Sequence, residues 1–100
     1  MARLLPPVHP GEILKEDVLK PLGMSVNQLA KLLAVDAARF NEIIRGRRNI
    51  TADTALRLAR YLGTSAEFWM NIQTRYDLEV ARRANQKQIE KAIKPREQAA

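Results

Sequence analysis

Six side chains within ten residues could do chemistry: Arg39, Asn41, Glu42, Arg45, Arg47 and Arg48. An arginine guanidinium is a planar fork of donors that fits a phosphate or the O6/N7 edge of guanine. An asparagine amide matches adenine N6/N7, and a glutamate can accept from cytosine N4. This is the chemistry of recognition. Catalysis would need other groups, and the chain has one histidine, no cysteine and no glycine-rich phosphate loop. Its acidic residues are scattered over polar helix faces rather than paired. No enzyme, metal site or cofactor is expected.

Charge supports a polyanionic partner. The net charge is +6, which bears on partners and not on fold. Its placement is more informative. Up to Ala30, Arg3, Lys15 and Lys20 balance Glu12, Glu16 and Asp17. From Arg39 to Arg48, four arginines face one glutamate, Glu42.

The elements that must position these groups lie in SVNQLAKLLAVDAARFNEIIRGRR, Ser25 to Arg48. Ser25 and Gln28 form a capping box, followed by Val26, Leu29, Ala30 and Leu33 at helical spacing. Asp36 caps a second helix, whose Phe40, Ile43 and Ile44 face inward. Ala37, Ala38, Arg39, Asn41, Glu42 and Arg45 are left on or near its outer side. Gly46 closes that helix in a left-handed C′ position. Only Ala34 to Asp36 separate the two patterns, so the helices must cross steeply, as in a helix-turn-helix. The first then lies across the phosphate backbone and the second enters the major groove.

This run resembles the helix-turn-helix of the phage-repressor-like (Xre) family. With HPGEIL at His9–Leu14 and ITADTALRLARYLGTSAEFWMNIQTRYDLEVA at Ile50–Ala81, it is similar to the HigA/VapI group of bacterial antitoxins. The three blocks cover roughly residues 8 to 81. The resemblance implies an all-α, five-helix phage-repressor-like helix-turn-helix domain with a short C-terminal helical extension. It also implies a sequence-specific DNA-binding antitoxin that neutralises a HigB-like mRNA-cleaving toxin and represses its own operon. The alternative is a stand-alone phage-type transcriptional regulator without a toxin. Relatives carry Gly where Ala34 stands, polar or basic residues at Ala37 and Ala38, and Asn at Arg45.

Roles on DNA follow by position. Ser25, Val26 and Asn27 open the first helix of the motif, where backbone N–H groups can meet a phosphate; Ser25 serves there or is wholly used as a cap. Ala37 and Ala38 can touch a thymine methyl. Arg39 reads guanine or clamps a phosphate, and Asn41 reads adenine. Glu42 accepts from cytosine or pairs with Arg39 or Arg45. Arg45, Arg47 and Arg48 are expected on phosphates, giving affinity and salt dependence rather than sequence choice. A unit this small buries little DNA, so a homodimer on double-stranded, palindromic operator DNA is expected, its recognition helices about 34 Å apart.

The remainder divides into an N-terminal arm (1–8), the helix-turn-helix domain (9–76) and a charged extension (77–100). Pro6-Pro7 makes the arm extended and partly mobile. Pro10 suits the first turn of the first helix, where Leu14 and Leu22 join an apolar stripe, and Pro21 and Gly23 break that helix. His9 is read as a cap or surface residue. Thr51 caps a helix to about Leu62, with Arg57 and Arg60 pointing away, and Ser65 caps the next. In that helix Phe68 is expected in the core, Trp69 in the core or at a dimer interface, and Met70 and Tyr76 at the same tentative interface. A short helix is expected from Tyr76 to about Gln88, as a solvated tail or as a segment ordered on toxin or second subunit. No apolar run approaches the ~20 residues of a membrane span. The absence of cysteine fits a reducing compartment, so a cytoplasmic protein, at the nucleoid when on DNA, is expected.

Overall fold

The computed structural model describes residues 5–97. They form five helices, with no strand among the described residues. Helix α1 begins at Pro10–Ile13, continues through a π-helical stretch at Leu14–Leu19, and ends with Lys20–Leu22. The others are α2 (Val26–Leu33), α3 (Ala37–Ile44), α4 (Ala52–Leu62) and α5 (Ala66–Ala92).

Pro21 does not break α1, contrary to the sequence expectation. A proline has no N–H and its ring crowds the carbonyl one turn back. The wider π turn precedes it, with the Lys20 N–H reaching back five residues to the Lys15 carbonyl. Gly23, left-handed at φ 62°, ends the helix instead. Leu22 is exposed rather than part of the apolar stripe.

The core gathers one face of each helix. Leu14 and Leu19 come from α1, Leu29 and Leu33 from α2, Phe40 and Ile43 from α3. Ala55 and Leu58 of α4 and Trp69 of α5 complete it, with Ile50 from the loop before α4. Helix α1 packs on α3 and α5, α2 on α3 and α4, and α4 on α5.

Within this frame Phe68 and Trp69 are the reverse of expectation for Phe68. Trp69 is 2% exposed and Phe68 46%. The Trp69 indole donates to Thr64 Oγ1 at 2.9 Å, which satisfies its N–H inside the core. Adjacent residues on a helix differ by about 100° in direction, so only one of the two can face α4. The indole, with a partner waiting in the preceding loop, takes the inward place. Trp69 is therefore a core residue of the single chain. Met70 and Tyr76 are half-buried.

Helix α5 is one continuous element through Ala92, past the expected end near Gln88. The proposed division at residue 76 falls inside it. Residues 80–92 are exposed throughout, and Ile93 leaves the helix two residues before Pro95. The radius of gyration, 17.2 Å, exceeds the ~13 Å typical of a compact chain of this length because of this helix. Of the arm, Met1 to Leu4 lie outside the described residues; Leu5 to Val8 have no regular structure, and the Leu5 carbonyl accepts from Arg83 of α5.

Candidate nucleic-acid interface

The motif is built by its caps. Gln28 N–H donates to Ser25 Oγ at 3.1 Å and Ser25 N–H to Gln28 Oε1 at 2.8 Å, the complete capping box. The Ser25 N–H is thus consumed and cannot also donate to a phosphate. The N–H groups of Val26 and Asn27, in the first turn of α2, have no acceptor within the helix. Asp36 Oδ2 accepts from the Arg39 N–H at 2.9 Å and starts α3.

Three residues, Ala34 to Asp36, join α2 to α3. Ala34 is left-handed at φ 56°, the one non-glycine residue in that region among the described residues. Its neighbours close α2 in the Schellman pattern: Val35 N–H donates to the Ala30 carbonyl and Ala34 N–H to the Lys31 carbonyl. Helix α3 closes the same way through Gly46 (φ 76°), with Arg47 N–H on the Glu42 carbonyl and Gly46 N–H on that of Ile43.

The turn has a clamp that sequence reading missed. Arg57, expected to point away, reaches from α4 to the carbonyls of Leu33 (3.0 Å) and Ala34 (3.1 Å). Its Nε is held by Asp53 at 2.8 Å. The guanidinium so satisfies the orphan carbonyls at the negative end of α2. An i,i+4 Asp–Arg pair was the available signal, but it could not show a contact 24 residues away in sequence.

On the outer side of α3, Ala38, Arg39 and Arg45 are exposed, and Ala37, Asn41 and Glu42 are half-buried. Arg47 and Arg48 are exposed in the loop that follows. The Arg39 side chain borders a cavity of about 240 Å³ between α3 and the start of α4, with Asp36, Asp53 and Arg57 also on its wall. Glu42 pairs with neither Arg39 nor Arg45. Its Oε2 lies 4.0 Å from Arg47 Nη1 and has no hydrogen bond among the described residues. Asn41 is not free either: its Nδ2 donates to the Ala37 carbonyl at 2.9 Å and to Asn27 Oδ1 at 3.2 Å.

Two buried polar residues behind this face anchor it to α5. Gln73 Oε1 accepts from the Ile50 N–H at 2.7 Å, and its Nε2 donates to Asp77 at 2.9 Å. The loop after α3 is thereby fixed to α5. His9 caps α1, Nδ1 accepting from the Gly11 N–H at 2.9 Å. It is a cap as expected, but buried rather than at the surface. Its ring stands edge-on to Tyr76 at 4.8 Å and touches the place where a Gly46 Cβ would be. The Nδ1 acceptor role puts the proton of the neutral ring on Nε2, which has no hydrogen-bond partner among the described residues. Burial lowers the His9 pKa from 6.5, against the opposing pull of Asp77 and the Arg48 backbone.

Comparison with known proteins agrees with this geometry. A family model described as Helix-turn-helix matches residues 15–69. The chain is 56% identical over 82 residues to virulence-associated protein I of Dichelobacter nodosus, covering 82% of this chain and 76% of that one. It is 38% identical over 89 residues to antitoxin HigA-1 of Vibrio cholerae, covering 89% and 83%. The structure of the Pseudomonas aeruginosa antitoxin HigA with the higBA promoter superposes with a TM-score of 0.86 at 50% identity, over 89% of this chain and 97% of that one.

Proposed function

Since the chain belongs to the HigA/VapI group of Xre-type helix-turn-helix proteins, we propose that it neutralises a HigB-like toxin and, as a homodimer on a palindromic operator, represses the operon encoding the pair. The DNA part rests on one observation above others. Arg39, Arg45, Arg47 and Arg48 are exposed on and beside a helix seated as the second of a helix-turn-helix. Their charge draws the protein to the phosphate backbone, and the first turn of α2 supplies the N–H groups of Val26 and Asn27. Arg39 and the methyls of Ala37 and Ala38 meet base edges; Ser25 acts as a cap and through its hydroxyl. Glu42 lies close enough to Arg47 to steady the loop.

A dimer is supported by the DNA surface a single motif can cover and by apolar groups on α5. Phe68 and Leu78 are exposed there, and with the half-buried Ile72 they line one groove on the helix. These replace Trp69 in the reading of the interface, beside the half-buried Met70 and Tyr76. The exposed half of α5, residues 80–92, is the segment available to a toxin. No described helix is long and apolar enough to cross a membrane, and a cytoplasmic protein suits DNA as partner. The stand-alone regulator remains the second reading, favoured by the regulators among the relatives.

The test is a titration against DNA from upstream of the gene, with random DNA of equal length beside it, at about physiological salt. A preference of at least ~10³ supports the repressor. Equal, weak binding to both overturns it. Co-purification of a small basic ribonuclease-like protein encoded beside the gene separates the antitoxin from the plain regulator.

A further inference from the structure

We infer that Asn27 and Asn41 act as one amide unit at the DNA face, in which Asn41 offers DNA an acceptor only and Asn27 supplies the donor. The inference rests on the DNA-binding reading above and assigns roles within it. A carboxamide has two N–H donors and one carbonyl oxygen. Both donors of Asn41 are already engaged, one on the Ala37 carbonyl and one on Asn27 Oδ1. Among the described residues Asn41 Oδ1 accepts no hydrogen bond, and it is not sealed from solvent. On the other side, Asn27 is exposed, and its Nδ2 donates no hydrogen bond among the described residues.

The consequences are specific. Reading adenine with a bidentate amide needs an N–H directed at N7. Asn41 has none left unless it abandons the bridge to α2. Its remaining oxygen fits an exocyclic amino group, adenine N6 or cytosine N4. Asn27 sits in the first turn of α2, beside the free N–H groups of that turn, so its Nδ2 is placed for a phosphate oxygen. The bridge between the two residues also fixes the second helix of the motif against the first at the point where both meet DNA. Asn27 is then a positioning residue for base reading, although it touches no base.

The experiment is a double-mutant cycle with Asn27→Ala, Asn41→Ala and the double variant, each titrated against upstream and random DNA and checked for an unchanged melting temperature. Asn27→Ala is expected to lower the upstream-to-random ratio about tenfold, as is Asn41→Ala, and the double variant to lower it no further. Asn27→Asp, which keeps the acceptor for Asn41, should weaken both DNAs while preserving most of the ratio. Duplexes with 7-deazaadenine, which lacks N7, should bind the wild type as before. Duplexes in which adenine lacks its 6-amino group, or cytosine its 4-amino group, should show an Asn41-dependent loss for one of the two, identifying the base. Additive losses in the cycle, an unchanged ratio for Asn27→Ala, or an Asn41-dependent loss on 7-deazaadenine would each overturn the inference. A wild type that does not discriminate overturns the DNA reading itself, and this assignment with it. The bridge is still read separately, as a shift of the Asn41 side-chain amide signals on Asn27→Ala in the free protein.

Discussion

Gly11 and Ile43 approach so closely that a Cβ on Gly11 would lie 2.1 Å from the Ile43 carbonyl oxygen. The Ile44 carbonyl and Cα are within 3 Å of the same point. These are backbone atoms at the end of the recognition helix, and they cannot swing aside. Gly11→Ala should therefore push α1 off α3 and destabilise the fold by about 1–3 kcal/mol, as overpacking does. Urea unfolding measures it; a change below about 0.5 kcal/mol would show that α1 is loosely seated.

Ala34 holds the left-handed conformation that glycine adopts without strain. Ala34→Gly should stabilise the protein by about 0.5–1 kcal/mol, the relief of the left-handed conformation being partly offset by the greater unfolded-state entropy of glycine. The same unfolding assay decides the sign. A loss of stability would mean that the Ala34 side chain contributes more than its backbone costs.

Arg39→Ala should weaken binding to upstream DNA by about 1–3 kcal/mol while sparing random DNA, if the side chain reads a base. Equal weakening of both would make it a phosphate clamp. Arg47→Ala with Arg48→Ala should flatten the salt dependence by about one unit of slope per arginine lost at each half-site. An unchanged slope removes both from the phosphate contacts.

His9 makes stability depend on pH. Its pKa is lowered in the folded chain, so the unfolded chain binds the proton first as pH falls. Stability is complete above the unfolded value of 6.5 and is lost below it, down to the folded value. The slope in that window is at most about 1.4 kcal/mol per pH unit. Protonation also turns Nδ1 from acceptor to donor and removes the cap on Gly11. His9→Asn, which keeps a capping group and does not titrate, should flatten the profile as pH falls below the unfolded histidine value of 6.5. An equally steep profile in that variant would place the pH sensitivity elsewhere.

Trp69 and Phe68 should respond in opposite ways. Trp69→Ala removes a buried indole and should cost about 3–5 kcal/mol of stability. Phe68→Glu, at a half-exposed ring, should cost the monomer much less than that and should shift the proposed dimer to monomer in sedimentation. A dimer that survives Phe68→Glu would take this face out of the interface.

The parts of the fold that were legible share a physical character. Ser25 with Gln28, Asp36, Thr51, Ser65 and Gly46 act within one helical turn of themselves, so their residue types alone announce the caps. The three-residue connection fixed the motif for the same reason. What was not legible depends on contacts between distant segments. Arg57 on the turn, Gln73 on Ile50 and Asn41 on Asn27 each look like an ordinary polar helix residue until the helices are placed. Pro21 was misread because its cost is met by a π turn that no local pattern declares. Phe68 was misread because the phase of α5 is set by α4 and by Thr64, not by hydrophobicity alone. The outward residues of α3 followed from period, but that Asn41 is tied down did not.

Helix α5 carries two regimes of protection along one hydrogen-bonded rod. Up to about Gln73 its amides are backed by Trp69 and by the Ile50 bridge, so they should exchange with solvent only when the domain unfolds. Residues 80–92 are all exposed, and apart from the Arg83 contact with the Leu5 carbonyl roughly 18 Å of helix depends on its own turns. An unsupported helix of that length is marginal in water. Its amides should exchange through fraying that costs the domain nothing, and the boundary between the two behaviours should fall within a few residues of Asp77.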